Sequence, residues 1–119
     1  MLDTSRARLA MSLLSSEPVE VQPVIWLERW RVFQADQASR HFVGFNAADQ
    51  DGRVSTPIVL FNAAERSGVT FSGRRYVLVG PPGFDDDAEY VWELYATFFG
   101  FKEVVDVSGE YVGSAGEEA

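Results

Sequence analysis

The stretch VTFSGRRYVLVGPPGFDDDAEYVWELYATFF, residues 69–99, sets the fold class. Its first part is two short apolar runs, Val69–Phe71 and Arg74–Val79, separated by Ser72-Gly73. That is the spacing of a tight β-turn-β unit in which Gly73 takes φ > 0. Gly80-Pro81-Pro82-Gly83 then ends the β region. Beyond it, Asp86–Phe99 has the period of an amphipathic helix, capped by Asp85, Asp86 or Asp87 and closed by Gly100. Ala88, Val91, Trp92, Leu94, Tyr95, Phe98 and Phe99 share one side, and Asp86, Glu89 and Glu93 share the other.

Upstream, the reading is β. Trp30–Gln34 and His41–Asn46 flank the polar loop Ala35–Arg40 and predict a hairpin. Ala47–Gly52 is a loop whose Asp51-Gly52 is a turn signal. Val54–Phe61 reads as one strand, placed at an edge or bulge by Pro57, which has no N–H to give to a ladder. Pro23–Arg29 is open to two readings: Trp26, Trp30 and Phe33 fit helical spacing, while their residue types favour a strand from Glu28 onward. Val104, Val105 and Val107 suggest one more strand. At the ends, Thr4–Ser15 has the spacing of a short helix, and Gly113–Ala119 reads as a disordered tail. The expectation is α+β. A curled antiparallel sheet of about five strands is packed by the C-terminal helix Asp86–Phe99, with residues 1–17 as an N-terminal helix or arm and 18–112 as a single domain.

The 119 residues, 46% apolar and 13% aromatic, are enough for one domain with a true core. With no cysteine there is no disulfide, thiolate metal site or thiol nucleophile. No apolar run is long enough to cross a membrane, and the N-terminus lacks the charge pattern of a signal peptide, which points to the cytoplasm. Net charge is −8, and ten of the acids lie in residues 85–119 against a single base, Lys102. That balance argues against direct nucleic-acid binding, which needs clustered Lys and Arg, and favours a partner with a basic surface.

Motifs for chemistry are weak. His41 is the lone histidine, and Ser39, Ser55 and Ser72 sit in no nucleophile-elbow pattern. Counting Asp49 as the first position of a calcium loop puts Leu60 where the bidentate Glu belongs. Gly80–Gly83 has prolines where a phosphate loop needs amide donors. Asp86, Glu89 and Glu93 are near one another, but on an exposed face, where carboxylates make poor general acids. No cofactor and no metal is expected.

From Trp30 to Phe99 the chain resembles a group of short uncharacterised bacterial proteins, many carried by phages, plasmids and other mobile elements. The resemblance rests on Arg53-Val54-Ser55-Thr56-Pro57-Ile58 and on the run Thr70-Phe71-Ser72-Gly73-Arg74-Arg75-Tyr76-Val77-Leu78-Val79-Gly80. It implies a setting in which small acidic inhibitors of host defence, including anti-CRISPR proteins, are common. It transfers no activity to any residue.

The functional expectation is a non-enzymatic inhibitor that masks a basic nucleic-acid-binding surface of a partner complex. Its binding residues are Asp86, Glu89, Glu93, Glu103 and Asp106. The alternative is a self-associating β module that forms a homodimer through Trp26, Tyr76 and the edge near Pro57.

Overall fold

The computed structural model describes Val19 and residues 22–112. The expected N-terminal helix and C-terminal tail lie outside the described residues. Strands β1 (Val24–Ala35), β2 (Ser39–Asn46), β3 (Asp51–Val54), β4 (Ile58–Asn62), β5 (Ser67–Thr70) and β6 (Arg75–Pro82) precede helix α1 (Asp86–Phe99). Strand β7 (Val104–Asp106) and a 3₁₀ turn, Ser108–Tyr111, follow it. The class is α+β.

The sheet is mixed rather than antiparallel, and has seven strands rather than about five. Its order is β3-β2-β1-β6-β5-β4, with β7 pairing β1. The β1–β2, β2–β3, β4–β5, β5–β6 and β1–β7 pairs are antiparallel. Among the described residues only β1 and β6 run parallel, with Ile25 opposite Tyr76 and Leu27 opposite Leu78. Local spacing reveals hairpins; it carries no information about which distant strand lies beside β1. The sheet curls enough for Phe61 on the terminal strand β4 to meet Phe42 on β2, with three strands between them in the order, at 6.2 Å between ring centroids.

Two cores result. Inside the curl lie Ile25, Leu27, Trp30, Val32, Phe42, Tyr76, Leu78 and Tyr111. Between the sheet's other face and α1 lie Phe33, Ala35, Val43, Val54, Ala88, Val91, Trp92 and Tyr95. β1 serves both because its side chains alternate between the two faces, and a bulge resets that alternation midway. Arg29 adopts φ 47, and the register of β1 against both neighbours shifts there. The inward positions therefore change from Ile25 and Leu27 to Trp30 and Val32. This shift also explains the helix-like spacing of Trp26, Trp30 and Phe33. Trp26 is exposed, Trp30 fills the curl and Phe33 faces α1.

Three local expectations are corrected. Val54–Phe61 is two strands: Ser55 turns the chain out of β3, its Oγ accepting from Phe42 N at 2.9 Å and donating to Thr56 O at 2.7 Å. Asp51-Gly52 begins β3 instead of forming a turn, and Gly52 is there for packing. A Cβ on it would come within 2.4 Å of Asp87 C and Ala88 N. Gly80-Pro81-Pro82 does not end the β region; it belongs to β6, where Gly80 O accepts from Trp30 Nε1 at 2.9 Å.

α1 matches its expected bounds. Asp85 is the N-cap, accepting from Ala88 N at 3.0 Å, and Gly100 closes the helix at φ 71. The tight turn before β6 also matches, with Gly73 at φ 92.

Candidate functional site

The acidic surface is built by α1 and the segments at its two ends. The five acids picked out by sequence do not act as one set. Arg31, on the α1-facing side of β1, takes two of them. Its Nη2 lies 2.6 Å from Glu89 Oε2, and its Nη1 lies 3.4 Å from Asp106 Oδ2. Asp106 also accepts from Ser108 N at 2.8 Å and from the Ser108 hydroxyl. Burial pushes the Asp106 carboxyl up, but the Ser108 bonds and the Arg31 guanidinium outweigh it and hold it below the ordinary carboxylate range. Glu103 accepts from Gln37 Nε2 at 3.3 Å, and its backbone N–H donates to Asp36 at 2.8 Å, which ties the segment before β7 to the β1–β2 turn.

Other acids are also occupied. Asp85 caps α1 and receives Arg29 Nη2 at 3.1 Å, and Glu110 receives Arg40 Nη1 at 2.9 Å. The acids left over are on the outer stripe of α1. Asp86 and Glu93 are exposed and make no hydrogen bond or ion pair within the described residues. Between them, at helical spacing i, i+4, i+7, stands Tyr90, 55% exposed. Asp87 flanks the stripe at the helix N-terminus, close enough to Asp51 for its charge to act there. Burial raises the Asp51 carboxyl above its usual range; the charges of Asp49 and Asp87 add to this, and Arg53 opposes it. The stripe is thus an aromatic ring between two carboxylates that have no ion-pair partner among the described residues.

Tyr90 is not among the residues that the sequence placed on a face of α1, and Asp87 entered there only as a candidate cap. The 86/90/93 spacing was the available signal. Tyr76, expected at a homodimer interface, is 2% exposed inside the curl, and its hydroxyl accepts from Arg53 Nε at 3.2 Å. Its residue type and its place in β6 said nothing about which face it takes.

His41 is more buried than a strand histidine needs to be, at 1% exposure. Its Nδ1 lies 2.9 Å from the Ser55 carbonyl, an acceptor only, so Nδ1 carries the proton and Nε2 accepts from Ser39 Oγ at 2.8 Å. Its ring packs among Trp92, Tyr95 and Phe101, with centroids 5.2–5.8 Å away. The Ser39–His41 contact therefore has a backbone carbonyl where a triad has a carboxylate, and aromatic rings where a substrate would sit. Burial lowers the His41 pKa against the opposing hydrogen bond to Ser55. Among the described residues no group of three or more His, Cys, Asp or Glu side chains could hold a metal ion. None of their helices is long and apolar enough to cross a membrane.

No family model, no curated protein and no solved structure matches this chain.

Proposed function

We propose that the protein is a non-enzymatic, acidic protein-binding inhibitor whose working surface is the outer stripe of α1. The partner is a protein complex with a basic, nucleic-acid-binding groove, of the kind that anti-CRISPR inhibitors mask. The supporting observation is the division of the acids. Arg29, Arg31 and Arg40 pair with Asp85, Glu89, Asp106 and Glu110, whereas Asp86 and Glu93 flank an exposed Tyr90 and make no ion pair among the described residues. Unpaired like charges on one face cost stability unless a partner neutralises them. An exposed tyrosine within a charged rim has the composition of a binding hot spot. Carboxylates on this stripe would occupy Arg and Lys sites that otherwise hold phosphate. On this reading Glu103 adds a rim contact, while Glu89 and Asp106 contribute to the field with their charge already compensated by Arg31.

The test uses the partner complex recovered by affinity capture from a bacterial lysate. Its binding to a labelled nucleic acid is measured with and without this protein. The wild type is expected to compete. Asp86→Asn with Tyr90→Ala and Glu93→Gln is expected to lose the competition by about a hundred-fold, as a tyrosine anchor and two charges are removed together.

A further inference from the structure

Among the described residues, β4 is paired on one side only, by β5. The sheet's other outer strands carry the charges that normally blunt an edge. β3 holds Asp51 and Arg53 and lies against α1, and β7 ends in Asp106 after Lys102 and Glu103. β4 has no such guard. No charged residue occurs between Arg53 and Glu65. Val59 is 59% exposed and Leu60 67%. Phe71, whose N–H donates to Pro57 O at 2.8 Å at the start of β4, is 79% exposed.

We infer that β4 is a dimerisation edge and that its occupant is β4 of a second copy. Charge argues for a copy over a foreign partner. A chain of net charge −8 repels itself over most of its surface, and the uncharged β4 edge is where two copies can meet without opposing carboxylates. A basic partner gains nothing there. A strand pairing antiparallel with its own copy about Leu60 is isologous, so the same residues serve both sides. Pairing also closes instead of propagating. Pro57 and the bulge between Ile58 and Leu60 limit the ladder to a short run, and the charged edges β3 and β7 give a third copy no equivalent site. A cavity of about 340 Å³ beside the strand, lined by Gln34, Ser39, Arg40, Ile58, Leu60 and Phe61, leaves room for a side chain of the mate.

The experiment is sedimentation velocity on the full chain at rising concentration in low and high salt, with Leu60→Lys and Val59→Glu as variants. Both positions are exposed within one chain, so far-UV circular dichroism of the variants should match wild type. The wild type is expected to form a dimer and no larger species, tighter in high salt because screening relieves repulsion between like-charged copies. Each variant is expected to weaken dimerisation by roughly a hundred-fold, since a lone charge is buried against its own image. The Asp86, Tyr90 and Glu93 variant should dimerise like wild type, which separates this claim from the one about α1. A wild type that stays monomeric at about 100 μM in both salts, or variants that dimerise as well as wild type, would overturn it.

Discussion

Single residues decide how the two cores fit together, and Gly52 is the sharpest case. Its Cα faces the first turn of α1 with no room for a side chain. Gly52→Ala pushes a methyl into the backbone at Asp87 and Ala88, which cannot yield as a side-chain tip can. The expected loss is about 1–3 kcal/mol in a urea melt, typical of an overpacked site. His41 gives a pH signature. It is neutral in the folded chain and its pKa is lowered by burial, so the unfolded chain binds the proton first as pH falls. Its stabilisation is full above the unfolded value of about 6.5 and declines below it until the folded pKa is reached. Unfolding free energy should fall between pH 7 and pH 5.5 with a slope of at most about 1.4 kcal/mol per pH unit, and His41→Phe should remove that slope. An unchanged slope in the variant would assign it to other groups.

At the level of elements, the acids of the α1 region divide into structural and free, and two adjacent aspartates show the difference. Asp85 caps the helix and holds Arg29 of the β1 bulge. Asp85→Ala should cost about 1 kcal/mol, the usual value for a lost N-cap. Asp86 touches nothing among the described residues, so Asp86→Asn should melt within about 0.5 kcal/mol of wild type. Equal losses would mean that Asp86 is structural too. The helix and its caps were legible in the sequence because their signals are local: an apolar stripe, an aspartate before it and a glycine after it. The fate of Glu89 and Asp106 was not. Their partner Arg31 stands 58 and 75 residues away, and the packing of α1 on β2 and β3 and the β1–β7 pairing bring it to them. The bulge at Arg29 hid β1 for a related reason, since a strand that changes its buried face midway mimics helical spacing.

The whole molecule separates its surfaces by charge. Acids concentrate on α1 and the segments beside it while β4 carries no charged residue, so the proposed contact with a basic partner and the proposed self-pairing rest on different surfaces. Residue patterning foretold the α+β class and composition the acidic excess; neither said which acids are already paired, as Glu89 and Asp106 are with Arg31. The measurement that tests the central claim most directly is the salt dependence of binding to the captured partner, wild type against Asp86→Asn with Tyr90→Ala and Glu93→Gln. For the wild type, affinity should fall steeply as salt rises from low to physiological. The variant should bind more weakly at low salt and show a flatter dependence, with a thermal melt like that of wild type. A variant that binds at low salt as tightly as wild type, with the same salt slope, would contradict the account and leave the α1 stripe a solvated face.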